Sequence, residues 1–438
     1  MKHFYLRVQA RSPLAIRSDQ SEGGAKTAQY ISGVTLLGSL AAAHRMLHES
    51  QETAFADFFL QDKVYFPHLY PALFSKSKSH IHGVNTPVVP LPRTAQTCKR
   101  FAGFLPLAGE EDAEKRHGIR DSLFDWGAFS LLEQSEKVPS IETLVSPFHA
   151  HKDCGYTTLV DNQEVCCGQV MDHAGASGYY RSARLNMQQR MMAQVHTRLQ
   201  THSGINREWG VVEEGILYNR EVFDENMLFW GELLLADDLA DAFQQFVQEA
   251  NEEDMIRIGT GRTRGLGRIN LEMIDEEQPA DIRSREIALF TERLTRFDGT
   301  FRKQAQNTGV NAFDHFYFAV TLRSGSILCD PYLRYFRTLS AKLLEQELEW
   351  PAGSCKPIYQ STDIQRISGW NELWGTPRAH DYALEMGSTF LFAYTQKPDS
   401  AFFNALRTLE ERGIGRRRAE GFGRVSISDP FHLEGEQA

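Results

Sequence analysis

The sequence predicts an α+β protein made of two ferredoxin-like (RRM-like) domains in tandem, on three observations. A glycine- and arginine-rich phrase occurs twice: Gly259-Thr260-Gly261-Arg262-Thr263-Arg264-Gly265-Leu266-Gly267-Arg268-Ile269, and Gly413-Ile414-Gly415-Arg416-Arg417-Arg418-Ala419-Glu420-Gly421-Phe422-Gly423-Arg424-Val425. An alternating, aromatic-rich run also occurs twice, His3–Val8 and His315–Val320. Each glycine phrase follows an amphipathic stretch and enters a β-branched run, which marks a helix–loop–strand junction.

Taken in order, His3–Val8 reads as a half-buried strand opening the first half. Leu228–Leu234 is a second apolar strand, followed by a helix through Asp241–Ala250 and the first glycine loop. In the second half, His315–Val320 opens, Gly387–Tyr394 is the later strand, and a helix through Ala401–Arg412 leads into the second loop. This repeated order suits a split βαβ unit with helices on one face of an antiparallel sheet. The boundaries fall at 1–285 and 295–438, joined by the charged segment Asp275–Arg296. The first half is longer than such a unit needs, and the excess lies at about 60–200.

Glycines admit positive φ and close backbone approach, and arginines present fork-shaped donors suited to phosphate oxygens. Gly261, Arg262, Arg264, Gly265, Gly267 and Arg268, with Arg416, Arg417, Arg418, Gly421, Gly423 and Arg424, are therefore candidates for a polyanion cradle. The bland alternative is a pair of ordinary turns before strands. Dinucleotide fingerprints place their glycines after a strand and before a helix, the reverse of the order here, and neither loop has a P-loop Lys-Ser/Thr.

At 438 residues, with 42% hydrophobic and 24% charged residues, the chain has the composition of a soluble globular protein of two or three domains. It has no apolar run long enough to span a bilayer and no signal-peptide pattern at its start. Six cysteines in this length do not make a disulfide framework, so a reducing cytoplasm is expected. A net charge of −10 argues against a nonspecific nucleic-acid binder but leaves room for basic groups focused in loops.

Tyr30-Ile31-Ser32-Gly33-Val34-Thr35-Leu36-Leu37-Gly38-Ser39-Leu40-Ala41 resembles the phrase that opens the first helix in the RAMP proteins of CRISPR systems, and the paired loops resemble that family's glycine-rich signature. His202–Arg207 and Glu214–Tyr218 are similar to a stretch of the two-domain RAMPs of type III-D complexes. Ser32 and Leu37 depart from the usual proline and arginine. The resemblance implies a subunit of a type III interference complex, with crRNA and the other effector subunits as partners. In such a complex the two-domain RAMP grips the repeat-derived 5′ handle, and the loop residues named above would be its RNA contacts. Loop arginines would hold phosphates; Tyr5, Phe316, Tyr317 and Phe318 are stacking candidates whose alternative fate is the core.

Cys98, Cys154, Cys166 and Cys167 all lie in the excess segment. His151 to Cys154, followed by Gly155, has the spacing of a zinc knuckle. The resemblance implies Cys98 and His117 as the other half of the site, so the candidate structural zinc set is Cys98, His117, His151 and Cys154. Cys166 or Cys167 is the first replacement, and small buried core cysteines are the alternative. Some RAMP relatives cut RNA with a histidine base, and His44, on the helix after the Gly33–Ala41 phrase, is the candidate for that competing endoribonuclease reading. No catalytic residue is expected if the chain only binds RNA. His80 and His82 sit in a Ser/Lys-rich loop without catalytic pattern.

Overall fold

The alternating run at the start forms Lys2–Ala10, an inner strand of the first sheet. The computed structural model describes residues 1–17, 26–72, 88–105, 116–133, 153–160, 163–174, 178–181, 191–193, 195–205, 212–275, 280–309, 312, 314–371 and 375–433. In the first sheet the order is Ile269–Asp275, Lys2–Ala10, Leu228–Leu235, Val64–Tyr65, with every neighbour antiparallel. Tyr70–Pro71 also pairs with Leu228–Leu235. The second sheet repeats this order with Val425–Ile427, Phe316–Leu322, Thr389–Tyr394 and Cys355–Ser361.

Helices cover these sheets because their apolar positions recur with helical period. In Ala240–Glu252, Phe243, Phe246, Val247 and Ala250 are buried against the first sheet together with Leu36, Leu40 and Ala43 of the helix Gly33–Leu47. In Ser400–Arg412, Phe402, Leu406 and Leu409 do the same for the second. Asp399 caps that helix through Phe402 N–H at 2.8 Å, and Gly413 ends it at φ 75°.

Of the charged segment expected between the halves, Asp275 ends the strand Ile269–Asp275 and residues 280–296 belong to one helix, Ala280–Asn307. Its Phe297 and Phe301 pack on the opposite face of the second sheet, beside Leu123 and Ala128 of the helix Leu123–Glu133. That helix comes from the excess segment of the first half, so the second sheet is covered on both faces. Tyr5, Phe316, Tyr317 and Phe318 are all buried, and their role is packing rather than base stacking. Two short strands from the start of the segment assigned to the excess, Val64–Tyr65 and Tyr70–Pro71, belong to the first sheet. Among the described residues no helix is long and apolar enough to cross a membrane.

Candidate functional site

Both glycine loops are held by the same backbone arrangement. Ile258 N–H donates to Gly267 O at 2.8 Å, and Ile414 N–H to Gly423 O at 2.8 Å. The chain leaving the first strand of each sheet then crosses under the loop. Thr260 N–H donates to Ala15 O (2.9 Å) and Arg416 N–H to Ile327 O (3.0 Å); Gly267 N–H reaches Pro13 O (3.0 Å) and Gly423 N–H reaches Gly325 O (2.9 Å). Ser12 Oγ accepts from Arg268 N–H, and Ser324 Oγ from Arg424 N–H, each at 2.9 Å. A side chain at Gly267 or Gly423 would run into the carbonyl of Ile258 or Ile414, so these glycines are needed for the crossing itself.

At the loop tips the two copies diverge. The first tip is a turn over Arg262–Arg264 between two left-handed glycines, Gly261 (φ 78°) and Gly265 (φ 82°). Arg264 and Arg268 are exposed. Arg264 donates to the Tyr218 hydroxyl, and Arg268 lies 3.5 Å from the Asp254 carboxylate. The second tip puts Arg417 where the first has Gly261, at φ 58°, a left-handed conformation costing a non-glycine residue on the order of 1 kcal/mol or more. Its guanidinium is held by Asp381 (2.6 Å) and Glu420 (2.6 Å) and lies over the Phe422 ring.

The second tip is also docked onto the first half. Phe66 N–H donates to Ala419 O (2.9 Å), and Gly33 N–H to Nδ1 of the buried His68 (3.0 Å). A Cβ on Gly33 would meet Phe66 O at 2.5 Å and Glu420 O closer still, and one on Gly421 would meet His68. Burial, and then the charges of Arg417 and Arg424, push the His68 pKa down to about 3. The Arg424 guanidinium lies 5.9 Å from the Tyr65 ring centre, and burial lowers its pKa despite Glu232 and two tyrosines. Of the second-loop arginines, then, Arg417 and Arg424 are engaged inside the protein. Arg416 is exposed, with one nitrogen 3.6 Å from Cys329 Sγ, and Arg418 is half-buried.

In the excess segment, Cys98, His117, Cys154 and Cys167 converge, with their ligand atoms all within 4.8 Å of one another. Cys98 ends the strand Ala95–Cys98; Cys154 and Cys167 flank the base of the hairpin Thr157–Val160/Gln163–Cys166. Cys154 N–H donates to Gln169 O (2.7 Å) and Cys167 N–H to Tyr156 O (2.8 Å), closing that base. The His117 ring is stacked between Phe101 (4.3 Å) and Tyr156 (4.1 Å), with Nδ1 3.4 Å from Cys154 Sγ. Burial, with the neighbouring Cys98 and Cys167 thiols, pushes Cys154 up to about 12. Three sulfurs and one imidazole, closely spaced and mostly buried, fit the tetrahedral donor set of structural zinc, whose charge would permit the thiolates. Cys98, His117 and Cys154 are sequence candidates; Cys167 stands as the fourth donor, and His151 lies outside the described residues, as do His80 and His82.

His44 does not fit a general base. It is 1% exposed, ringed by Phe55, Phe58, Phe59 and Phe246 with centroids at 5.0–5.8 Å, and burial lowers its pKa. A base must reach the proton it abstracts, and no substrate hydroxyl reaches this ring. Asp121, His432 and Thr321 form a chain of hydrogen bonds (2.7 and 3.0 Å) that ties the excess segment to the helix Pro430–Leu433, with His432 and Thr321 buried. Sequence reading missed the Arg11-Ser12 and Arg323-Ser324 pairs that hold the loops. Their signal was available, because each pair closes one of the repeated strand runs.

The RAMP superfamily model matches residues 7–270. Similar solved structures include the type III-B Cmr-beta complex bound to cognate target RNA (11% identity, 88% of this chain and 86% of that chain, TM-score 0.36) and the same complex with AMPPnP (11%, 88% and 86%, 0.37). The apo Cmr-beta complex is also similar (12%, 63% and 98%, 0.28). No curated protein matches the sequence. The family match covers more than half of the chain, starts within the first strand and ends just past the first glycine loop: this protein belongs to the RAMP superfamily.

Proposed function

We propose that this chain is the RNA-binding subunit of a type III CRISPR interference complex, gripping the repeat-derived 5′ handle of crRNA in the manner of the type III-D RAMP. The observation that carries the reading is the first glycine loop. Two left-handed glycines flank Arg262–Arg264, and Arg264 and Arg268 stand exposed at the tip. Exposed guanidinium groups on a fixed turn suit a phosphate backbone. The second loop adds Arg416 and Arg418 at its rim, while Gly421, Gly423, Arg417 and Arg424 set its position. Each half is read as a ferredoxin-like unit, 1–285 and 295–438, a reading supported by the shared fourth-first-third-second sheet order.

The chain holds RNA without cutting it, as the burial of His44 supports. Zinc bound by Cys98, His117, Cys154 and Cys167 would pin a segment whose local core is small. These residues would orient and exclude water from the ion, which supplies structural cross-linking rather than chemistry. The test is to purify the chain with crRNA and partner subunits and map crosslinks. Crosslinks from the Arg262–Arg268 tip to the 5′ handle are expected; crosslinks confined to other RNA regions would refute the assignment.

A further inference from the structure

The hairpin Thr197–Ile205/Val212–Phe223 leads into the third strand of the first sheet, and its inner end lies against the first glycine loop. His202 and Tyr218 are directly opposite across the hairpin, with rings stacked at 5.2 Å, and Tyr218 is 37% exposed. The Tyr218 hydroxyl accepts from Arg264 of the loop tip. Arg220, two residues on and so on the same strand face, lies against Gly261. A Cβ at Gly261 would stand 2.8 Å from its Nη1, so the glycine makes the room that this guanidinium occupies. Among the described residues, Arg220 Nη1 and His202 Nε2 are buried without a hydrogen-bond partner. Glu221, next in sequence, lies on the other strand face and accepts from Thr27 N–H (2.9 Å) and the Thr197 hydroxyl (3.0 Å).

Resting on the reading of the first loop as an RNA contact, we propose that hairpin and loop together clamp one nucleotide of single-stranded RNA. The base stacks on the Tyr218/His202 pair, and its phosphate is received by Arg220 and Arg264. A π-face joined to two guanidinium groups, with the Glu221 carboxylate engaged on the other face, matches the two halves of a nucleotide. It suits an unmodified protein surface less well, because such a surface offers no flat ring with an adjoining phosphodiester anion.

The test uses the full chain and two labelled single-stranded RNA oligonucleotides of equal length, one with bases and one abasic. Stacking contributes at the level of about tenfold in affinity per base. Tyr218→Leu should therefore weaken binding of the base-bearing RNA by about tenfold and leave the abasic RNA unchanged. Tyr218→Phe, which keeps the ring, should retain affinity, and Arg220→Gln should weaken both RNAs. Thermal melting of each variant checks folding. Equal loss on both RNAs, or no loss at all, would overturn the clamp, as would loss of partner subunits with RNA affinity intact. Failure of the underlying reading looks different: replacing Arg262, Arg264 and Arg268 together would leave both RNAs bound with an unchanged salt slope.

Discussion

Gly33 and Gly38 lie in the same helix, and replacing each with alanine should move stability in opposite directions. An added Cβ at Gly38 meets nothing within 4 Å, so Gly38→Ala should stabilise by about 0.5–1 kcal/mol through helix propensity alone. At Gly33 the same methyl meets the backbone carbonyl of Phe66 at 2.5 Å and that of Glu420 in the second loop, neither of which is a flexible side-chain end. Forcing a methyl into a packed contact of this kind costs about 1–3 kcal/mol. The Gly33 N–H bond to His68 (3.0 Å) and the Phe66 bond to Ala419 (2.9 Å) lie in the same seam, so the strain falls on the joint between the halves. At about 2–4 °C per kcal/mol for domains of this size, Gly33→Ala should lower the melting midpoint by roughly 2–12 °C. Differential scanning calorimetry of both variants is the assay, and because two halves need not unfold as one, a splitting of the transition is also informative. A Gly33→Ala protein that melts at or above the parent temperature would refute the docking of the second loop on the first half.

Four further outcomes are expected. Metal analysis should find about one zinc per chain, as for a closed structural site, and Cys154→Ser or Cys167→Ser should release it and expose the excess segment to protease. Replacing Arg262, Arg264 and Arg268 should flatten the salt dependence of RNA binding by about 0.7 in log–log slope per lost phosphate contact, read by titration at several salt concentrations. His44→Ala should leave RNA length unchanged on gels while lowering stability by about 1–3 kcal/mol, because it opens a cavity in a phenylalanine cage. His68 is kept neutral by burial, with a folded pKa of about 3 against 6.5 in the unfolded chain. The unfolded state binds the extra proton between these values, so this stability is full above about pH 6.5 and declines as pH falls towards 3, by about 2 kcal/mol at pH 5. A urea series at pH 7 and pH 5 should show it, and His68→Gln should flatten the difference.

The sequence made the repeats visible because each pairs a period with a breaker: alternating aromatics for an inner strand, then glycines and arginines for a loop. Helix limits followed within a few residues from apolar spacing, as at Ala240–Glu252 and Ser400–Arg412. Whether an arginine faces solvent was not legible, since Arg268 and Arg424 share the same local phrase and differ only in what packs above them. Arg424 lies over Tyr65, a residue some 360 positions earlier in the chain. The metal set shows the same limit. Cys154 and its neighbourhood carry a local spacing signal, but Cys167 joins the cluster only because a hairpin folds it back beside Cys154. The long helix Ala280–Asn307 was hidden by its charge, its apolar Phe290, Leu294, Phe297 and Phe301 being diluted by acidic and basic neighbours.

The position of Lys2–Ala10 inside its sheet has a consequence for synthesis on the ribosome. Both of its partners, Leu228–Leu235 and Ile269–Asp275, emerge more than two hundred residues later. At roughly 5–20 residues per second, that strand waits on the order of 10–50 s with its edges unpaired. During the wait its apolar alternation is open to wrong pairing, the usual hazard of an unsatisfied strand. The helix Leu123–Glu133 meets a related delay, since the sheet it covers is translated long after it. The nascent chain therefore carries at least one exposed apolar surface through most of its translation, first the strand and then the helix, and its yield in cells should depend on chaperones that shield them until the last strands arrive.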